Sequence, residues 1–175
     1  MKKIILYIAM SLDGYIAGEN GEIDWLEKFN DEKVTEEYEQ FYKRIDTIIM
    51  GKGTYLKLIN DIAKDSWPYP GKRCLVLTRD LAFKDDRVEV IHEFNRSYME
   101  SLRELGGKDI WLVGGGKTIE TFLQEDYIDE YIVTVTPTIL GKGIPLFRGE
   151  GKQIDLQLSN TDIFGELVTL TYLNR

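Results

Sequence analysis

The sequence predicts an α/β fold: a mostly parallel central sheet with flanking helices and an antiparallel hairpin at its C-terminal edge. Three observations predict it. Short runs that are apolar almost throughout, at 3–10, 47–50 and 110–113, suit strands buried on both faces. Such runs alternate with helical spacing up to about residue 124, the pattern of parallel strands joined by crossovers. Beyond that point strand follows strand, and the last two alternate apolar with polar residues. No linker, repeat or low-complexity tract interrupts the 175 residues, so one domain over 1–175 is expected.

The elements follow in order. Residues 3–10 form a central strand. Residues 11–21 read as a long loop, with Asp13-Gly14 and Asn20-Gly21 as turn signals. Loops of this length beside a central strand are often functional, although a surface hairpin explains the same residues. A helix over about 32–44 puts Val34, Tyr38, Phe41, Tyr42 and Ile45 on one side. A buried strand at 47–50 leads through Gly51-Lys52-Gly53-Thr54 into a helix start at Tyr55. Residues 67–71, Trp-Pro-Tyr-Pro-Gly, form a rigid turn. Strands at 73–77 and 88–91 precede a helix over 98–105, stopped by Gly106-Gly107. The strand at 110–113, a helix over 117–123 and a strand over 128–136 come next, then a loop over 137–145. Strands at 153–159 and 167–173 make the terminal antiparallel pair.

Composition excludes several classes. A hydrophobic content of 43% with 30% charged residues is that of a globular chain, not a disordered one. The basic start Met1-Lys2-Lys3 is followed by an apolar stretch broken at Ser11 and Asp13, so it reads as a strand and not a signal peptide. No run approaches the roughly 18–20 apolar residues of a membrane span. A formal net charge of −8 opposes general binding to nucleic acid or anionic membranes. One cysteine, Cys74, lies in an apolar run and reads as a buried, inert thiol suited to a reducing cytoplasm. With one histidine, His92, and no ligand spacing, no metal site is expected.

The chemistry concentrates in Gly114-Gly115-Gly116-Lys117-Thr118-Ile119. Here a buried strand runs into three glycines and then a helix with Ile119, Phe122 and Leu123 on one face. Glycines let a ligand touch the backbone, and the free N–H groups of a helix start favour an anion. A bare turn would need only one glycine. The same theme of strand, glycines, lysine and threonine occurs at Gly51-Lys52-Gly53-Thr54, so the two turns are expected to grip an extended diphosphate ligand. Neither common nucleotide motif fits. A P-loop needs glycine at Trp111, and the dinucleotide fingerprint needs it at Ile119.

These residues resemble the dihydrofolate reductase fold and its relative, the C-terminal reductase domain of bacterial riboflavin biosynthesis, which acts on a phosphoribosylamino-uracil. The resemblance covers essentially the whole chain. Ser11-Leu12-Asp13-Gly14, Gly21-Glu22 with Trp25, and Pro137-Thr138-Ile139-Leu140-Gly141 are similar to the riboflavin type. Met50-Gly51-Lys52 with Thr54, and Val113-Gly114-Gly115-Gly116, look more like dihydrofolate reductase. The resemblance implies a three-layer fold and NADPH as cofactor. It implies that Gly114, Gly115, Gly116, Lys117, Thr118 and Ile119 line the pyrophosphate, with Gly51, Lys52, Gly53 and Thr54 on its other side. By the same match Thr78 and Arg79 meet the adenosine 2′-phosphate, and Ala9, Ile16 and Trp25 lie near the nicotinamide. It also implies a cis peptide between Gly114 and Gly115. The chain departs from the pattern twice. Gly114 stands where riboflavin-type reductases carry a substrate-binding glutamate. The ring-holding carboxylate of dihydrofolate reductase has no clean match among Asp24, Glu27 and Asp31.

The expected activity is hydride transfer from NADPH to a C=N or similar bond of a small heterocycle related to riboflavin or folate. A carboxylate would hold the ring and help a water deliver a proton. Asp24, beside Trp25, is the candidate, and Asp13 reads equally as a turn residue. A catalytically silent NADPH-binding protein and a purely structural protein are the rival readings. Riboflavin-type relatives imply a homodimer; Tyr131, Val133 and Val135 could face the partner, though a core face explains them as well.

Overall fold

The computed structural model describes residues 1–29, 32–149 and 151–175. The strands are β1 (Ile4–Met10), β2 (Tyr15–Ala17), β3 (Ile45–Gly51), β4 (Arg73–Leu77), β5 (Glu89–Ile91), β6 (Asp109–Gly114), β7 (Glu130–Val135), β8 (Ile144–Pro145), β9 (Leu156–Phe164) and β10 (Leu167–Asn174). The α-helices are α1 (Glu32–Arg44), α2 (Lys52–Lys57), α3 (Arg96–Glu104) and α4 (Gly116–Gln124). Among the described residues an eight-stranded sheet runs β5-β4-β3-β6-β1-β7-β10-β9. The first six are parallel, while β10 and β9 are antiparallel to their neighbours. A separate small sheet pairs β2 with β8.

Alternation along the strands builds two cores and three layers. Ile4 and Leu6 of β1 join Met99 and Leu102 of α3 and Ile119 and Phe122 of α4 in one cluster. Ile5 points the other way and joins Phe41 of α1 and Tyr55 of α2. The α1 side is fastened by aromatics. Tyr7 stacks on Phe41 with ring centroids 4.1 Å apart, and both meet Trp111 edge-on. The Trp111 indole donates to the Tyr7 carbonyl at 3.1 Å. Arg44, in the last turn of α1, donates to both carboxylate oxygens of the buried Glu130 on β7, at 3.1 and 2.8 Å. These contacts fix how α1 lies across the sheet, its last turn at the amino end of β7 and its middle over Tyr7 of β1.

Two expectations need correction. The terminal pair begins later than the alternation suggested and runs longer, over Leu156–Phe164 and Leu167–Asn174. Its register jumps from Asn160 to Leu158 opposite Thr171 and Tyr172, so Ser159 is the extra residue of a bulge. Period-2 counting fails across such a bulge because the faces exchange. Loop 11–21 is not a hairpin on its own: it contains β2, whose partner β8 lies far along the chain. Asp13 ties the two segments together. Its carboxylate accepts from the amides of Leu140 at 3.1 Å and Gly141 at 2.7 Å, and from the Ser11 hydroxyl at 2.6 Å. The Ser11 bond and these amides hold its carboxyl below the usual range, so the turn reading of Asp13 prevails. Cys74 is buried, which pushes its thiol up to about 12.

Candidate active site

Sheet topology brings the two glycine turns together. The chain leaves β3 toward β4, but leaves β6 across β1 toward β7. Adjacent strands whose connections depart in opposite directions open a crevice at their carboxyl ends, where open α/β sheets bind ligands. Gly51 ends β3 and Gly114 ends β6, and Met50 pairs with Gly114 in the register. The turns interlock. A Cβ on Gly51 would stand 2.6 Å from Thr118 Oγ1, and one on Gly115 would stand 3.0 Å from Thr54 Oγ1. Gly114 has φ +117°, a conformation side chains rarely adopt, and Ile119 Cδ1 would lie 3.2 Å from its Cβ. The Gly114–Gly115 peptide is cis. Nothing in the protein approaches the Cβ position of Gly53, which faces open space.

The helix starts in this crevice lack side-chain caps. Gly51 precedes α2 and Gly115 precedes α4, and neither has a side chain to accept from the first turn. By contrast α3 is capped by Asn95, which accepts from the Tyr98 amide at 3.0 Å. In α4 the Thr118 and Ile119 amides donate to the Gly115 carbonyl, at 2.9 and 3.0 Å, so the amides ahead of them, of Gly116 and Lys117, are the ones at the helix start, where an anion is the favoured ligand. Lys117 is exposed at the mouth of α4, whereas Ile119 is buried behind it.

Carboxyl ends of five parallel strands line up from here: Thr78 and Arg79 after β4, then the two turns, Ala9 in β1, and Thr134 and Thr136 at the end of β7. At roughly 4.8 Å per strand this row spans about 19 Å, enough for an extended dinucleotide. The cations expected at its outer end are not equivalent. Lys52 is committed to Asp80 at 2.5 Å and lies 5.0 Å over the Phe83 ring. That lysine and the Ala82 amide hold the Asp80 carboxyl below its usual range. Arg79 is exposed and has no ion-pair partner among the described residues.

A cavity of about 670 Å³ lies at the other end of the row. Tyr7 and Ala9 of β1, Thr134 of β7 with Thr136 just beyond it, and Thr169 of β10 form its floor. Val34 and Glu37 of α1 make one wall, Lys57 and Asp61 another, and Asp24, Leu26 and Glu27 the rim. Glu37 is half-buried and accepts a short hydrogen bond from the Tyr7 hydroxyl. Burial raises the Glu37 carboxyl above its ordinary 4.5, with the Asp162 charge adding to that and the Tyr7 bond opposing it. Burial, reinforced by Glu37, also raises the Tyr7 phenol. The Thr136 side chain is 1% exposed, and its Oγ1 has no hydrogen-bond partner among the described residues.

The expected site residues divide accordingly. The structure places the two turns and Thr78 and Arg79 along one crevice, with Ala9 in the cavity floor. Ile16 packs against the α3–α4 core. Trp25 follows the rim residue Asp24, and its Nε1 is buried without a partner among the described residues. Asp24 and Glu27 are exposed rim residues, and Asp31 lies outside the described residues. Sequence reading missed Tyr7, Thr136 and, most of all, Glu37. A signal was present: Glu37 falls three residues after Val34 and four before Phe41, an acid in the apolar stripe of α1.

Comparison with known proteins agrees with this geometry. The "RibD C-terminal domain" family matches residues 2–170. A Bacillus subtilis (strain 168) relative, "Uncharacterized protein YwjB", is 41% identical over 98% of each chain. The crystal structure of a Shewanella sp. PV-4 protein assigned provisionally to riboflavin biosynthesis superposes with a TM-score of 0.86 and 30% identity, over 100% of this chain and 99% of that one. Dihydrofolate reductase from Enterococcus faecalis, solved in complex with NADP(H) and RAB-propyl, superposes with a TM-score of 0.70 and 14% identity, over 98% of this chain and 96% of that one. At that identity the likeness shows the fold alone, and the fold is the dihydrofolate reductase-like one. With a match running from residue 2 to residue 170, the chain belongs to the RibD C-terminal domain family.

Proposed function

We propose that this protein is an NADPH-dependent reductase that reduces a C=N or similar bond of a small heterocycle. The observation that carries the reading is the pair of interlocked, uncapped glycine turns at the β3–β6 crevice, in line with a cavity that holds a desolvated carboxylate. The residues present fit the coenzyme. Amides at Gly51–Thr54 and Gly115–Lys117 would take the pyrophosphate from two sides, and Arg79 with Lys52 would meet the 2′-phosphate. When bound, the coenzyme supplies the hydride. The chain supplies the rest. Ala9 leaves room in the floor for a flat ring, and the cavity walls orient it. Glu37 holds ring N–H groups, and its raised pKa and its bond to Tyr7 suit it to passing a proton through water to the ring nitrogen. Asp24 at the rim is the other candidate for that proton.

A thermal-shift titration with NADPH, then a screen of imines, pterins and related heterocycles for NADPH consumption, tests the proposal. Stabilisation and turnover support it. Stabilisation without turnover leaves a silent coenzyme-binding protein, and no stabilisation removes the coenzyme. Comparing Asp24→Asn with Glu37→Gln assigns the acid: the variant with unchanged turnover is not it. We also propose that the protein works as a cytoplasmic homodimer. Of the residues first considered for the partner face, Tyr131 and Val133 are core. The strip formed by Leu158 and Ile163 of β9 with Val168 and Leu170 of β10 is exposed or half-exposed and carries no charge. An uncharged strip can meet its own copy, which a chain of net charge −8 otherwise repels.

A further inference from the structure

His92, the one histidine of the chain, follows Ile91, the last residue of β5. Its place extends the row of strand ends by one position, beyond Thr78 and Arg79. The two segments are tied. The Thr78 amide donates to the Ile91 carbonyl at 3.1 Å, and His92 Nδ1 lies 3.2 Å from the Thr78 carbonyl. A carbonyl only accepts, so Nδ1 carries a proton there. That bond sets the tautomer and the direction of the ring. It leaves Nε2, a lone pair in the neutral ring and an N–H donor in the charged one, without a partner among the described residues.

The charged groups around it are Arg79 and Asp80 in the turn after β4, Lys52 reaching that turn from α2, and the exposed Glu93 next in the chain. The Asp80 carboxyl is held down mainly by Lys52, with His92 as a smaller contributor, so imidazole and carboxylate stand close together. Both Asp80 oxygens are already engaged: Oδ2 accepts from Lys52 at 2.5 Å, and Oδ1 from the Ala82 amide at 3.0 Å. In a chain of net charge −8 this corner gathers Lys52, Arg79 and, when protonated, His92 around one paired carboxylate. A surplus of cations with open donors suits a phosphate dianion.

On the footing that the crevice binds NADPH, we infer that His92 helps to choose the coenzyme: protonated, it donates from Nε2 to the adenosine 2′-phosphate beside Arg79, and neutral, it turns a lone pair toward that phosphate. NADPH is therefore favoured over NADH most strongly where the imidazole is charged, and binding of the 2′-phosphate takes up a proton. A histidine is the side chain whose charge changes between about pH 5 and 8, so the preference it adds is greatest at the acid end and falls as pH rises. The 2′-phosphate itself titrates near about pH 6, but it does so with any residue at position 92, so comparing parent and variant isolates the imidazole.

The test uses the full chain in isothermal titration with NADP⁺ and NAD⁺, which differ only in the 2′-phosphate, from about pH 6 to about pH 8.5. Parent and His92→Gln are compared, since glutamine keeps an N–H donor and cannot become charged. At the acid end the parent's preference for NADP⁺ over NAD⁺ is expected to exceed the variant's about tenfold, and at the alkaline end the two should agree within about twofold. Near neutral pH, titrations of the parent in buffers of different ionisation enthalpy should show more net proton uptake with NADP⁺ than with NAD⁺, a readout that stands even if the variant folds poorly. Equal preferences at the acid end overturn the inference. So does a difference as large at the alkaline end, or the absence of extra proton uptake. In each of those cases NADP⁺ still binds and the reductase reading stands. A parent that binds neither coenzyme sinks that reading and the inference with it.

Discussion

Replacing Gly51 with alanine tests the interlocked turns without touching a ligand. Gly51 has φ −77° and ψ 155°, which alanine adopts freely, so backbone strain contributes nothing. The entire penalty is steric. The new methyl would stand 2.6 Å from Thr118 Oγ1, where ordinary contact begins near 3.4 Å, so one group must move by about 0.8 Å. Overpacking of this kind costs about 1–3 kcal/mol. Restricting the unfolded chain returns about 0.4–1 kcal/mol, so a net loss of about 1–2 kcal/mol is expected. If Thr118 escapes by changing rotamer, the cost falls to the lower end. Thr118→Ala removes the obstructing oxygen and leaves Thr118 Cβ 3.9 Å away, an ordinary contact. The double variant should therefore be as stable as the parent, with a coupling of about 1–3 kcal/mol in a double-mutant cycle read by urea unfolding. Additive single effects would mean that the β3 and β6 turns do not touch as described.

Glu37→Gln should change stability in a pH-dependent way. The folded Glu37 carboxyl is raised above 4.5 by burial and by the charge of Asp162, so the folded state holds its proton longer than the unfolded one. Its presence then costs stability as pH rises from 4.5 through the folded value, and the glutamine variant should gain on the parent over that window; equal pH profiles of unfolding would contradict this. Arg44→Ala leaves the 8%-exposed Glu130 carboxylate without its bidentate partner, and a loss of about 2–4 kcal/mol is expected in denaturant unfolding. Asp80→Asn frees Lys52 and removes a carboxylate from the outer end of the crevice; the preference for NADPH over NADH should rise roughly three- to tenfold in equilibrium titrations. Ile163→Glu with Leu158→Glu should convert a dimer to a monomer in light scattering if β9 and β10 form the interface.

How much of this was legible in the sequence varied with the physics involved. The parallel strands were plain because burial on both faces makes them continuously apolar, and the glycine turns because φ +117° at Gly114 and close approach at Gly51 leave few substitutes. Their contact was not legible: it depends on β6 being inserted between β3 and β1, a pairing between strands far apart in the chain. β2 was missed for the same reason, since its partner β8 is more than 120 residues away. The substrate acid was sought beside Trp25, where the resemblance pointed, and Asp24 proved to be exposed at the rim. Glu37 was passed over because helix periodicity was read for its apolar members, and an acid within that stripe was counted as solvated. Thr136 gave no signal, because an unpartnered hydroxyl exists only in three dimensions.

The central claim is that one ligand spans both turns. Titrating NADPH into the ¹⁵N-labelled protein and following backbone amides tests it most directly. The account predicts that the amides of Gly51–Thr54 and of Gly115–Ile119 shift together, with one dissociation constant, and that Ala9 follows them. Shifts confined to one turn, or none at either, would contradict it.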